Sequence, residues 1–306
     1  MPHPRHNLLA HILLIAVVLV WGCTFPLVKS ALHDISPLLF NLLRMTLAAL
    51  VLLLINCKDL RGLTRADLGL CATAGLCLAL GYSFQTSGLA HTTPSKSAFL
   101  TGLVVVLVPI LSLIPRVAPL TSPRPNAIVF LGALLAFLGL IFLTSQPGTG
   151  MAILSGMHLG EGLTLLCALA FAAHLLTLAH AAPQLSARRL GTLQIAFAAL
   201  FMLFTLPLGG HPKLHLTPTA IFALALTALL ATAAAFTIQS WAQQILPPTH
   251  TALILTLEPV FAALTSLLFF HERFGPRELL GAALILAGIL LAELRAPHPL
   301  APDAIA

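Results

Sequence analysis

Residues 239–259, QSWAQQILPPTHTALILTLEP, decide the fold because they occur twice in related form. Laid over residues 85–105, QTSGLAHTTPSKSAFLTGLVV, at a constant offset of 154, they match Gln85 with Gln239, Pro94 with Pro248, Ala98 with Ala252 and Leu103 with Leu257. Ser95, Lys96 and Ser97 fall on Thr249, His250 and Thr251. In each copy a helix ending in polar residues turns at a proline into a second helix whose first turn carries two hydroxyls. Each half of the chain therefore holds the same helical hairpin.

Composition says where such a hairpin lives. The 306 residues are 58% hydrophobic and 8% charged, with mean hydropathy +1.01, whereas soluble domains carry about 25% charged residues. Apolar runs of about 20 residues, the length that crosses a hydrocarbon core of about 30 Å, recur almost throughout. The fold class is all-α, a polytopic membrane protein. The net charge of +6 comes from short loops between apolar runs, so it reports topology and no nucleic-acid surface. The five cysteines (Cys23, Cys57, Cys71, Cys77 and Cys167) show no CxxC spacing and read as small packing residues.

Ten helices are predicted, over residues 8–31, 37–56, 68–90, 95–114 and 126–145, then 159–182, 190–208, 219–245, 249–270 and 278–294. The first run is too long for a signal-peptide core and has no convincing cleavage site, so it is expected to be retained. Thr64 and Asp67 have capping-box spacing before the third helix. The uncharged stretch QPGTGMAILSGMH divides the chain, giving one five-helix repeat over residues 1–150, a second over 151–296 and a tail over 297–306. Gly132 and Gly139 in the fifth helix correspond to Gly281 and Gly288 in the tenth, the spacing of a close helix contact.

With an odd number of crossings per repeat the second copy enters from the opposite side. The repeats are then inverted about an axis in the membrane plane, with a site expected near the midplane between them. Placing the N-terminus inside puts nine Lys and Arg residues in inner segments (Arg5, Lys58, Arg61, Arg65, Arg116, Arg124, Arg188, Arg189, Arg295) and four outside (Lys96, Lys213, Arg273, Arg277). Both termini are expected in the cytoplasm of a cell bounded by this inner (plasma) membrane.

The segments WGCTFPLVK, the pair Arg44 and Met45, PSKSAFLTGLVVVLVP and LEPVFAALTSLLFFHERFGPRELLGAALILAG resemble the EamA family of the drug/metabolite transporter superfamily, in register over nearly the whole chain. The resemblance implies ten helices in two inverted repeats and a secondary transporter that exports or exchanges small metabolites, amino acids or drugs. It names no substrate. One departure is visible: Pro109 lies four residues beyond the position that matches Pro259.

Polar residues inside apolar runs mark the candidate site, because a charge at a helix centre costs about 2.5 to 3.5 kcal/mol on insertion scales. Arg44 lies about 10 Å into the membrane from one face and Glu258 about 15 Å from the other, at 1.5 Å per residue. A buried ion pair and a cavity-facing pair that binds charged substrate or carries a proton both fit. Gln85 and Gln239, the duplicated amides, with Tyr82 and Trp241 close by, fit either helix glue or a cavity lining. Trp21, Thr24 and His174 lie well inside their helices, and Trp21 reads as a cavity-facing aromatic. Pro109 and Pro259 free the carbonyls of Val105 and Leu255 and are candidate hinges.

The remaining polar groups take simpler readings. Lys29 is expected to snorkel. Ser95, Ser97, Thr249 and Thr251 are expected to cap helices, and Glu161 to favour a helix start. The thirteen histidines form no HxxxH or HExxH pattern, so no metal is called for, and His298 with Asp303 sits in a proline-broken tail that forms no pocket. No GxxxxGK[ST] loop is present, so no nucleotide or other cofactor is expected. The expected partners are a small-molecule substrate and the lipid bilayer, and a monomer suffices. The favoured function is alternating-access export or exchange of a small organic metabolite. Proton-coupled drug efflux is the alternative, and a membrane enzyme acting on lipid is the less favoured one because it would need its polar groups clustered at one interface.

Overall fold

The computed structural model describes residues 4–114, 127–144, 158–246, 254–255 and 257–294. Among these the backbone is helical apart from connecting turns and one isolated antiparallel bridge between Ile35 and Leu214. The helices are α1 (Pro4–Ala31), α2 (Pro37–Asn56), α3 (Arg65–Ala90), α4 (Pro94–Thr101), α5 (Val104–Leu111), α6 (Ala127–Thr144), α7 (Leu159–Ala181), α8 (Ala187–Thr205), α9 (Pro218–Ala228), α10 (Ala235–Ala242), α11 (Glu258–Phe270) and α12 (Pro276–Leu294). A π-helical turn, Leu229–Ala234, joins α9 to α10 without a break. Among the described residues six helical stretches are long and apolar enough to span a membrane: Leu8–Ala31, Pro37–Asn56, Arg65–Ala90, Leu159–Ala181, Ala187–Gly209 and Pro218–Ala242.

The polarity of the bundle is inverted relative to a soluble protein. Leu54 is 78% exposed and Phe204 74%, while Gln194 and Asn41 are fully buried. Lipid solvates the leucines, and the buried amides hold helices together: Asn41 Nδ2 donates to Tyr82 O at 2.8 Å while Asn41 Oδ1 accepts from Thr86 Oγ1 at 3.1 Å, and Asn56 Nδ2 donates to Thr192 Oγ1 at 3.0 Å. Chain and packing together describe a multi-pass membrane protein.

Helix ends follow from local chemistry. Thr64 and Asp67 form the expected box, with Asp67 N donating to Thr64 Oγ1 at 3.1 Å and Thr64 N to Asp67 Oδ2 at 2.9 Å. Glu161 does more than favour a helix start. One carboxylate oxygen accepts from His158 N at 3.1 Å, and the other accepts from Thr92 Oγ1 at 3.0 Å, pinning the α3–α4 turn to α7.

Two readings are corrected. Lys29 does not snorkel; its Nζ donates to Leu89 O at 2.7 Å and Ala90 O at 2.9 Å, closing the open carbonyls at the end of α3. Thr93, not Ser95 or Ser97, caps α4 by accepting from Lys96 N at 3.3 Å. Ser95 Oγ instead donates to Glu272 Oε2 at 2.8 Å, and Ser97 Oγ is buried without a hydrogen-bond partner among the described residues. Thr249 and Thr251 lie outside the described residues.

The predicted fourth helix is interrupted. Gly102 and Leu103 form a turn between α4 and α5, and Leu257 precedes the start of α11. The two starts, Val104 and Glu258, are 154 residues apart, the repeat offset, so the duplicated segment breaks at the same point in both copies. Pro259 thus stands in the first turn of α11, where its missing amide hydrogen costs nothing, and not in the interior of a kinked helix as expected. In the first copy Pro109 lies inside α5, and the interruption falls earlier, at Gly102, a poor helix former. The breaks face each other: a methyl on Gly102 would lie 3.4 Å from Pro259 Cγ.

The glycine pairs meet as their spacing predicts. A methyl built on Gly139 would lie 2.6 Å from Gly281 O, and one on Gly288 would strike Gly132 O, so α6 and α12 touch backbone to backbone in a reciprocal way. Loop contacts sort into two ends. At one, Lys96 Nζ pairs with Glu278 Oε1 at 3.2 Å, Ser36 N donates to Lys213 O at 3.0 Å and Thr217 Oγ1 to Asp34 Oδ2 at 2.7 Å. At the other, Arg189 Nε donates to Asp59 O at 2.6 Å and Gln244 Nε2 to Leu185 O at 2.9 Å.

Candidate functional site

Four helices each turn one stripe toward a common space in the middle of the bundle. Trp21, Thr24, Phe25 and Val28 of α1, Tyr82, Gln85, Thr86 and Leu89 of α3, Phe171, His174 and Leu175 of α7, and Phe236 and Gln239 of α10 follow i, i+3, i+4 and i+7 spacing. Helix geometry puts such residues on one face. Arg44, Thr101, Gly102, Val104, Leu255 and Glu258 complete the lining of a narrow cavity of about 80 Å³.

Eight of the nine residues expected at the site line this cavity: Trp21, Thr24, Arg44, Tyr82, Gln85, His174, Gln239 and Glu258. Trp241 does not. It lies two residues beyond Gln239, about 200° around a helix of 3.6 residues per turn, and packs instead beside Ala10, Leu14 and Leu246. Of the hinge candidates, Pro259 is buried at the break beside the cavity and Pro109 is not at a break. Phe171, Phe236 and Thr101 were not singled out from sequence. The first two complete stripes with His174 and Gln239, which is the signal that would have found them.

The first half supplies the positive side. Arg44 is 4% exposed; its Nε donates to Thr232 Oγ1 at 2.7 Å and its Cζ lies 4.2 Å from the Tyr82 ring centre. The hydrogen bond and the ring face offset part of the cost of a buried cation. Trp21 Nε1 donates to Ala231 O at 2.8 Å. Both side chains are therefore anchored on adjacent residues of the π-helical turn, an irregularity often found at functional sites. Rings enclose the space: Trp21 and Phe236 centres are 5.4 Å apart, Tyr82 and Phe171 5.1 Å, and Tyr82 and Phe236 6.1 Å.

The second half supplies the carboxylate. Glu258 begins α11 at the break, against which α1 is pressed so closely that a methyl on Gly22 would lie 2.8 Å from Glu258 O. The direct Arg44–Glu258 ion pair that the sequence allowed is not formed: among the described residues the ion pairs within 4.0 Å are Lys96–Glu278 and Arg188–Asp59. The two side chains line one cavity from different halves with no ion pair between them. Gln85 Nε2 donates to Thr101 Oγ1 at 3.4 Å, whereas its counterpart Gln239 keeps a buried Oε1 with no partner among the described residues. No group of three His, Cys, Asp or Glu side chains that could hold a metal ion occurs among the described residues.

Fold and site together define a multi-pass helical membrane protein built around a small amphiphilic cavity. The chain belongs to the EamA-like transporter family, whose model matches residues 8–145 and again residues 158–294. An uncharacterised transporter of Archaeoglobus fulgidus is 35% identical over 293 residues, covering 94% of this chain and 87% of its own. The uncharacterised transporter YoaV of Bacillus subtilis is 24% identical over 287 residues, covering 91% and 94%. A solved crystal structure 19% identical superposes with a TM-score of 0.65 over 94% of this chain and 97% of its own, a likeness of fold.

Proposed function

We propose that the protein is a secondary transporter that exports or exchanges a small organic metabolite, an amino acid or similar molecule, by alternating access around this cavity. One observation carries the reading: Arg44 and Glu258, from different halves, line one mid-depth cavity without pairing with each other. An uncompensated charge at that depth is costly, and a substrate of complementary charge would offset the cost. The relatives, named as transporters, support the same reading.

The architecture proposed with it is ten crossings in two inverted repeats, residues 1–150 and 151–296, followed by a tail over 297–306. The separate family matches to each half, the helix breaks at one repeat offset, the reciprocal glycine contacts and the sorting of loops into two ends support it. The matched breaks in the two copies are the proposed hinges. The Lys and Arg count supports both termini on the cytoplasmic side, and the proposed location is the plasma membrane. The small cavity favours a metabolite over a bulky drug in this conformation.

Counterflow in proteoliposomes tests the reading, with a panel of radiolabelled amino acids and related metabolites, with and without a pH gradient, for the native chain and Glu258→Gln. Saturable exchange is expected. Gradient dependence that disappears in Glu258→Gln identifies proton coupling through that carboxylate, and indifference to the gradient identifies a facilitator. If a folded preparation exchanges nothing on the panel, the metabolite assignment fails.

A further inference from the structure

We infer that Gln194 and Ser240, neither of which lines the cavity, are positioning residues that hold His174 as a hydrogen-bond acceptor, so that the second half presents an acceptor wall which selects a substrate bearing N–H donors. The inference deepens the transport reading and rests on it for the identity of the ligand as the transported molecule.

The deduction starts from a carbonyl. Ser240 Oγ lies 2.7 Å from Phe236 O, and a carbonyl oxygen can only accept, so the one serine proton is committed there. Gln194 Nε2 lies 3.2 Å from that same Ser240 Oγ, and His174 Nε2 lies 2.8 Å from Gln194 Oε1. Turning the Gln194 amide over would set its oxygen against a serine oxygen that has no proton left to give, leaving two acceptors face to face. Amide orientation and imidazole tautomer cannot be told apart by shape, but this chain of donors leaves one consistent assignment. Gln194 donates to Ser240 and accepts from His174, so the imidazole proton is on Nε2 and Nδ1 carries the lone pair.

All three residues are at most 2% exposed, on three different helices, so water does not scramble the chain. The Phe236 ring stands edge-on to the imidazole, with centres 5.9 Å apart, and holds its plane. His174 lines the cavity with Nε2 engaged in the wall, and Nδ1 makes no hydrogen bond among the described residues. The neighbouring Gln239 is 2% exposed, lines the same cavity and has an Oε1 without a partner among the described residues. A donor from a ligand would satisfy such a buried acceptor. With the Glu258 carboxylate on the same cavity, the second half offers acceptors, while the Arg44 guanidinium donates from the first. A primary ammonium has the N–H donors this wall lacks. An aromatic enclosure alone would instead favour a quaternary ammonium, which has none.

Two measurements on the full chain in lipid nanodiscs test this. With ¹⁵N-labelled histidine, the His174 signals, identified by their loss in His174→Gln, are expected to show a pyridine-type Nδ1 and a proton on Nε2. Ser240→Ala and Gln194→Leu should each give a tautomer mixture. A native Nδ1–H form, or a tautomer unmoved by both disrupting changes, overturns the positioning role. The second measurement compares tert-butylammonium with tetramethylammonium, which share charge, shape and heavy-atom count but differ in N–H donors. The former is expected to bind at least about tenfold more tightly and to move the Nδ1 resonance. Equal binding, tighter tetramethylammonium or no binding of either overturns the acceptor wall. These results need no transport assay, so failed counterflow beside an intact acceptor wall would count against the transport reading alone.

Discussion

The two copies of the duplicated segment start a helix at the same repeat position and differ in chemistry. In the first, α5 begins after the Gly102–Leu103 turn with buried Val104, and Gln85 is bonded to Thr101. In the second, α11 begins at the equivalent point with Glu258, and Gln239 keeps an orphaned carbonyl oxygen. The first copy satisfies its glutamine within itself. The second leaves acceptors open on the cavity, at a cost in stability that only a ligand would recover. Duplication thus supplies the frame, and divergence at matched positions supplies the site.

The largest expected effect comes from making the copies alike. Glu258→Val, which gives the second break the first copy's residue, should lower counterflow by tens-fold to a hundredfold, since a hydrogen bond to a charged group is worth about 1.5–3 kcal/mol. Retained counterflow would show that the difference between the copies is structural. Next is the contact that both copies share. Gly288→Val forces a side chain against α6 and should lower stability by about 1–3 kcal/mol, read as a lower midpoint of thermal unfolding in detergent.

The matched glutamines should then split in sign. Gln239→Leu removes an unpaired acceptor and should raise the unfolding midpoint while weakening uptake. Gln85→Leu breaks a bond and should lower the midpoint by the equivalent of about 1 kcal/mol. Equal shifts in both would erase the distinction drawn between the copies. The smallest effect is expected from Lys96→Met, which breaks the partly exposed pair with Glu278 and should change stability by less than about 1 kcal/mol.

Much of the site was legible because polar residues in apolar runs are costly and therefore informative. That logic found Arg44, Glu258 and the duplicated glutamines, all of which line the cavity. It failed for Trp241, because proximity in sequence to Gln239 says nothing about which side of the helix a ring occupies. It also failed for Lys29, whose partners are backbone carbonyls 60 and 61 residues away. Gln194 and Ser240 lay in predicted spans, but their role depends on a bond chain across three helices.

By itself the sequence determined the solvent, the helical class and the duplication, since apolar length and a constant offset are properties of a string. Only the tertiary structure decided which face of each helix looks inward, that Arg44 and Glu258 stand unpaired, and that both copies break at one repeat position. The physical reason is the solvent. In water the buried face of a helix is the apolar one, and its period can be read. In lipid both faces are apolar, so burial leaves little imprint on composition, and contacts alone separate the lining from the exterior.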